Sequence, residues 1–416
     1  MSDPAAPFDR TLLPPGLRSL DLEALAHEFG TPLFVYDEAQ LRSRCREYRD
    51  AFGAGSVAYA GKAFLCTAMV RLVEQEGLHL DVATGGELHV ALHAGFPSER
   101  IVFHGNNKSD AEIATARDAR VGRIVADSFD ELDRLERLGF PGDVLVRVTP
   151  GVEAHTHEYI ETGTERSKFG FSAATGAALD AVARVVSSPE LRFGGIHCHI
   201  GSQVFRLDSY AKAAGVIGAF AAECERATGA SIPLVNAGGG LGARYLADDP
   251  DPGIAEYAGA LRGALGDRRL MVEPGRSIAA AAAVTLYRVG TVKEIAGVNT
   301  YVAVDGGMSD NPRPVLYGAG YEAYLPARVE EARPLVVSVA GKHCEQGDVI
   351  VTQAHLPQGV APGDLLVTPV TGAYGYSMAS NYNKVPRPAV VFVDGGQARV
   401  VVRRETLGDL LRLDEP

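Results

Sequence analysis

Between residues 56 and 273 the sequence repeats one pattern: a short run rich in Val and Ile, a polar or Gly-rich turn, then a helical stretch. Runs read as strands fall at 57–60, 80–83, 101–104, 124–126, 144–148, 194–199, 234–237 and 270–273. About eight successive βα units are the number that closes a (β/α)8 barrel. In such a barrel everything that directly follows a strand lies on one face, where an active site belongs. Those positions are polar here: Lys62, Thr84-Gly85-Gly86-Glu87, Gly105-Asn106-Asn107-Lys108, His197 and His199, Gly238-Gly239-Gly240, and Glu273-Pro274-Gly275-Arg276.

The flanks read differently. Up to Pro32 the chain is Pro-rich, with a helical pattern near 22–29 and then a strand at 33–36. Asp37 followed three residues on by Gln40 forms a capping box, opening a helix with Leu41, Cys45, Tyr48 and Phe52 on one stripe. After about residue 280, strands at 284–292, 301–305, 335–340, 349–352, 364–370 and 388–403 follow one another through turns, without long helices. The expected organisation is an α/β chain: an N-terminal segment 1–36 lending its strand to a β domain, a barrel at 37–279, and a mainly β C-terminal domain at 280–416.

At 416 residues the chain is too long for one small core. Its net charge of −12 argues against nucleic acid or an anionic membrane as general partner, while leaving room for a local pocket for a small anion. Met1 to Pro15 holds no basic region followed by an apolar stretch, and the apolar run at 278–284 is too short to span a bilayer. A cytoplasmic protein is expected. The five cysteines are odd in number and unclustered, which disfavours a disulfide framework or a zinc site.

Each motif carries a bland reading beside a sharp one. Lys62 ends the buried run Val57-Ala58-Tyr59-Ala60-Gly61, and is either a lysine that has reached the surface or one whose neutral amine forms a Schiff base. Gly238-Gly239-Gly240-Leu241-Gly242 fits a flexible turn, a dinucleotide fingerprint, or a phosphate cradle after the seventh barrel strand. Glu273-Pro274-Gly275-Arg276 ends the eighth strand; Arg276 suits a phosphate or carboxylate, and Glu273 could hold a pyridine nitrogen protonated. His197 and His199 share a strand face, where metal binding lacks an evident third ligand; His199 stacking on a planar ring, with Ser202 nearby, fits better. His155 and His157 read as loop residues. Cys344, in the charged loop 341–348, is either a structural cysteine or a proton-donating thiol. A Schiff-base lysine, an acidic partner for a pyridinium and a phosphate cradle are together what pyridoxal phosphate requires.

Several stretches then carry a family resemblance. They are Ala58-Tyr59-Ala60-Gly61-Lys62-Ala63, Asp81-Val82-Ala83-Thr84-Gly85-Gly86-Glu87, His104-Gly105-Asn106-Asn107-Lys108-Ser109, His199-Ile200-Gly201-Ser202-Gln203, the Gly238 to Gly240 run, Glu273 to Arg276, Arg313-Pro314-Val315-Leu316-Tyr317, Cys344-Glu345-Gln346-Gly347-Asp348 and Gly372-Ala373-Tyr374. In order and over nearly the whole chain, these resemble the alanine-racemase-like, fold-type III pyridoxal phosphate decarboxylases, nearest to the branch acting on meso-diaminopimelate. The resemblance implies that Lys62 bonds the cofactor, His199 stacks on its ring and Glu273 pairs with its nitrogen. It further implies that Ser202, Gly239, Gly240, Pro274, Gly275, Arg276 and Tyr374 surround the cofactor, most of them at the phosphate. Arg276, Arg313, Tyr317, Glu345 and Tyr374 would contact substrate, and Cys344, delivered from the partner subunit of a homodimer, would protonate the product. No metal is implied.

Two departures are mild: Gly61 before the lysine, where a bulkier small residue is more usual and glycine would loosen the strand, and Gln346 where serine is commoner. The implied reaction is decarboxylation of meso-diaminopimelate to lysine, the last step of lysine synthesis. A related decarboxylase of ornithine, arginine, lysine or carboxynorspermidine is the alternative. A catalytically silent relative would be expected to lack Lys62 or Cys344, and both are present.

Overall fold

The computed structural model describes residues 6–151 and 167–415, so His155 and His157 lie outside the described residues. The chain forms two compact units, one of residues 44–242 with 251–277, the other of residues up to 43 with 243–250 and from 278 onward. The first strand, β1 (Leu33–Asp37), belongs to the second of these. The next nine belong to the first: β2 (Ala58–Ala60), β3 (His79–Val82), β4 (Ile101–Phe103), β5 (Arg123–Ala126), β6 (Asp143–Thr149), β7 (Phe171–Ser172), β8 (Arg192–His197), β9 (Val235–Asn236) and β10 (Leu270–Met271).

Eight of the nine run parallel in the order β10-β9-β8-β6-β5-β4-β3-β2, with the two-residue β7 added to the end of β6. The two outer strands of that order meet: the Ala58 N–H donates to Val272 O at 2.9 Å, the Val272 N–H to Ser56 O at 2.9 Å, and the Ala60 N–H to Pro274 O at 3.0 Å. The sheet is thus a barrel, with no open edge to satisfy. Almost every strand residue is buried, as expected where helices cover one face and barrel side chains fill the other. Ala58, Val102, Val125, Leu145, Leu234 and Met271 form one apolar cluster.

The helices differ from the expected βα order in one respect. Among the described residues, seven link consecutive barrel strands, while β10 is followed by a four-residue helix, Arg276–Ala279. The eighth long helix, Glu38–Phe52, instead precedes β2. Its stripe Leu41, Cys45, Tyr48 and Phe52 is buried; the Tyr48 hydroxyl lies 2.6 Å from Ser277 Oγ, and Phe52 meets Tyr257 edge-on at 5.5 Å. Asp37 caps this helix by accepting the Gln40 N–H at 3.0 Å, while its other oxygen accepts the Gly16 N–H at 2.7 Å.

The remaining strands are β11 (Ala283–Ile295), β12 (Asn299–Val304), β13 (Leu335–Ala340), β14 (Val349–Leu356), β15 (Leu365–Pro369), β16 (Ala389–Asp394) and β17 (Gln397–Val402). They form one sheet ordered β14-β13-β12-β11-β1-β16-β17, with β15 pairing to β11. The N-terminal strand β1 sits inside it, antiparallel to β11 and parallel to β16. The segment read as a single strand over 388–403 is a hairpin: Gly395 and Gly396, at φ 54° and 81°, make the two-residue turn between β16 and β17.

Lys108, grouped with the polar residues after β4, is structural. It is 2% exposed, and its ammonium donates to Gly105 O at 2.6 Å, Val125 O at 2.8 Å and Glu131 Oε1 at 2.6 Å. Glu131, 1% exposed, also accepts the Asp127 N–H at 2.9 Å. Removing one partner strands a buried charge, so Lys108→Met is expected to cost about 3–5 kcal/mol in urea unfolding, and Lys108→Met with Glu131→Leu to recover part of that loss. Equal unfolding midpoints for wild type and Lys108→Met would show the pair to be unimportant.

Candidate active site

The C-terminal ends of five barrel strands bring Asp81, His104, His197, Asn236 and Glu273 together around one buried carboxylate. Glu273 Oε1 accepts from His104 Nε2 at 2.8 Å and from Asn236 Nδ2 at 2.6 Å; Oε2 accepts from His197 Nε2 at 3.1 Å. Burial works to raise the Glu273 pKa, but the two histidines, by charge and by hydrogen bonding, hold it well below the usual carboxylate range. Burial likewise opposes charge on His104, yet the Asp81 carboxylate, 3.9 Å from its Nε2, and Glu273 raise its pKa. His197 is driven down to about 4, chiefly by burial, and so is neutral with its proton on Nε2; its Nδ1 has no hydrogen-bond partner. Burial pushes Asp81 up to about 6, opposed by His104 and Lys62.

Lys62 projects from the turn Gly61–Ala63 that follows β2, and its side chain is exposed. Its positive charge acts on Asp81, Glu87 and His199. A Cβ at Gly61 would come 3.0 Å from Asp81 O and 3.2 Å from a Leu65 methyl, so the space between the two strand ends is tight at this position. Glu87 has a structural share as well: its carboxylate accepts the Ala83 N–H at 2.6 Å, beside the Thr84 hydroxyl that caps the following helix.

His197 and His199, read as a pair on one face, separate in the structure. His199 Nδ1 accepts the Gly239 N–H at 3.1 Å, which fixes the tautomer. Burial first, then the Lys62 and Arg147 charges, keep its pKa well below the ordinary histidine value, so it presents a neutral flat ring. Gly239 thus spends its N–H on orienting this ring, and Gly238 donates to Asn236 Oδ1 at 3.0 Å. Among the described residues, Gly240 and Gly275 N–H groups have no such partner. Gly240 has φ 114°, and a Cβ on it would lie 2.4 Å from Gly201 O, so only glycine brings that backbone into place. Arg276 Nη2 donates to Ser202 Oγ at 2.8 Å, joining the turn after β10 to the one after β8. The Pro274 carbonyl is committed to closing the barrel.

His104, His197 and Glu273 offer three donor atoms within 4.8 Å of one another, a third-ligand set that the spacing of His197 and His199 did not reveal. In the structure these atoms are joined by hydrogen bonds, with both Glu273 oxygens accepting histidine N–H groups. The donor set does fit a pyridine nitrogen: a hydrogen-bonded carboxylate with a low pKa, with an exposed lysine on the neighbouring strand end and a glycine turn among the same strand ends. Arg147 was missed in the sequence. It is buried on β6, stacks over Phe169 at 4.3 Å, and its charge reaches His104, His197 and His199. A charged residue inside the apolar run 144–148 was the available signal.

The other sequence candidates lie in the second unit. Arg313 opens the short helix Arg313–Tyr317, is 5% exposed, and donates from Nη1 to the Tyr321 hydroxyl while stacking over Tyr245 at 4.5 Å. Tyr317, at the end of that helix, is half-buried. Tyr374 holds a positive φ of 62°, uncommon for a bulky residue, and its hydroxyl adds to the field on Arg313. Cys344 and Glu345 are exposed on a loop whose base is tied down. Asp348 accepts the His343 N–H at 2.8 Å and the Met308 N–H at 2.6 Å, and Asn383 Oδ1 accepts the Cys344 N–H at 3.1 Å.

Residues 38–280 match the family model described as pyridoxal-dependent decarboxylase, pyridoxal binding domain. Diaminopimelate decarboxylase of Mycobacterium tuberculosis is 51% identical over 424 residues, covering 96% of this chain and 94% of that one. The enzyme of that name from Bacillus subtilis is 49% identical over 414 residues, covering 95% and 94%. Among solved structures, diaminopimelate decarboxylase from M. jannaschii aligns with a TM-score of 0.87 at 34% identity, covering 94% of each chain. That from Helicobacter pylori, complexed with L-lysine, aligns at 0.87 and 31%, covering 95% and 99%. With this barrel, this buried carboxylate and these full-length likenesses, the chain belongs to the pyridoxal-dependent decarboxylase family, in the group whose curated members are diaminopimelate decarboxylases.

Proposed function

We propose that this protein removes CO2 from meso-2,6-diaminopimelate to give L-lysine, the last step of lysine biosynthesis. The observation that carries the reading is a 51% identity, spread over both units, to an enzyme of that name. The pyridoxal phosphate supplies an electron sink for the charge left when CO2 departs. The chain supplies the rest. The Lys62 amine is the attachment point, exposed at the end of β2. Glu273, its pKa held low, would hold the ring nitrogen, His199 would offer a neutral face, and Gly240, Gly275, Arg276 and Ser202 would suit the phosphate.

Diaminopimelate carries an amino acid group at each end, so its site needs partners for a distal carboxylate and a distal ammonium. Arg313 with Tyr317 and Tyr374 suits the first, since a guanidinium packed against the Tyr245 and Tyr321 rings keeps a fixed orientation with donors to spare. Glu345 suits the second. Leaving the buried Arg313 unpaired, as a substrate without the distal carboxylate would, discriminates by roughly 10⁴-fold. Cys344 is read as the proton donor, delivered to a neighbouring subunit; its exposure on a loop pinned by Asp348 and Asn383 supports that reading. The reading therefore includes a homodimer. It also includes a cytoplasmic location; no helix among the described residues is long and apolar enough to cross a membrane.

Assay of the purified protein on meso-diaminopimelate, ornithine, lysine and arginine should give the highest kcat/KM for the first, and a win for any other would reverse the assignment. Lys62→Ala should abolish cofactor retained through borohydride reduction and denaturation; retention at wild-type level would reject the linkage. Cys344→Ala should lower turnover with cofactor still bound. Mixing Lys62→Ala with Cys344→Ala, with subunit exchange verified, should restore partial activity if the thiol acts across subunits; no recovery would count against a shared site.

A further inference from the structure

A carboxylate has about four lone-pair sites, and three of those on Glu273 are already committed: two on Oε1, to His104 and Asn236, and one on Oε2, to His197. All three donors come from different strand ends, β4, β9 and β8, so the carboxylate cannot turn about its own axis without breaking bonds to rigid elements. We propose that His104, His197 and Asn236 are positioning residues that act through Glu273, clamping its carboxylate so that the one remaining acceptor site, on Oε2, is presented to the ring nitrogen of the cofactor. This rests on the assignment of Glu273 to the pyridine nitrogen made above.

The charges support the geometry. A buried carboxylate surrounded by neutral groups would take a proton, and a protonated Glu273 could no longer hold a pyridinium. His104 brings a positive charge to within hydrogen-bond distance, and Asp81, from β3, favours that charge from 3.9 Å. His197 contributes a donor without a charge, and Asn236 ties the clamp to the glycine turn through its Oδ1, which accepts the Gly238 N–H at 3.0 Å. A pyridinium at Oε2 would add a positive charge next to the Glu273 carboxylate, on the side that His104 and Asn236 leave open.

The test loads the enzyme with pyridoxal phosphate labelled with nitrogen-15 in the ring and reads the ring nitrogen by NMR alongside kinetics. In wild type the nitrogen should be protonated; a deprotonated nitrogen there would defeat the parent assignment of Glu273 rather than the clamp. Given a protonated wild type, His104→Leu and Asn236→Ala should shift the nitrogen signal toward the deprotonated position and lower kcat by about tenfold or more, the value of a hydrogen bond to a charged group. KM for diaminopimelate should stay within about twofold, because neither residue is placed against the substrate. His104→Gln, which keeps an N–H donor near the same place without the charge, should recover part of both losses, and it serves in place of the leucine variant if that one does not fold. An unmoved nitrogen signal in these variants overturns the proposal, whether or not kcat falls.

Discussion

An ionised carboxylate buried among barrel strands is expensive unless every oxygen has a donor, and Glu273 shows how the chain meets that requirement. The donors come from strands far apart in sequence, His104, His197 and Asn236, and they meet only because the barrel closes. Closure in turn depends on three backbone hydrogen bonds that join the strand before Lys62 to the one before Glu273. The lysine and the carboxylate are therefore set by adjacent strands of one rigid sheet. Their spacing is a property of backbone hydrogen bonding, not of flexible loops.

Around that centre the glycines and small polar groups have separate tasks. Gly61 sits in the tight space between two strand ends, Gly240 lets the turn after β9 pass under Gly201, and Gly239 spends its N–H on a histidine. The second unit works by a different principle. Arg313 is immobilised by aromatic faces rather than by an opposing carboxylate, which leaves its charge uncancelled. Cys344 is exposed, but the loop that carries it is anchored from beneath through Asp348, a residue only 3% exposed.

Much of this was legible in the sequence because barrel strands bury both faces and so read as apolar runs with polar residues at one end. The eight runs and the early strand 33–36 all correspond to strands, with ends shifted by a residue or two where the last hydrogen bonds fray into the site. Three features were not legible. The helix Glu38–Phe52 was seen, but its service as the eighth barrel helix depends on chain closure, which leaves no local mark. The hairpin at 395–396 was hidden because both flanks are apolar strands of similar composition and only the Gly-Gly pair separates them. Lys108 and Lys62 both follow strands, yet one is sunk in carbonyls and the other projects outward, a difference made by Glu131 on a helix that packs from outside. The partnership of His104 with Glu273 was equally invisible, since 169 residues separate them.

The position of β1 has a consequence for synthesis. Leu33 pairs with Leu286 on one side and Ala389 on the other, so this wholly buried strand emerges from the ribosome long before either neighbour exists. The barrel can complete itself co-translationally once residue 274 is out, while Leu33-Phe34-Val35-Tyr36 waits as an apolar ribbon at the head of a finished domain. Its antiparallel partner β11 follows directly on the barrel, but its parallel partner β16 comes only near the C-terminus, so the strand made first is among the last to complete its pairing.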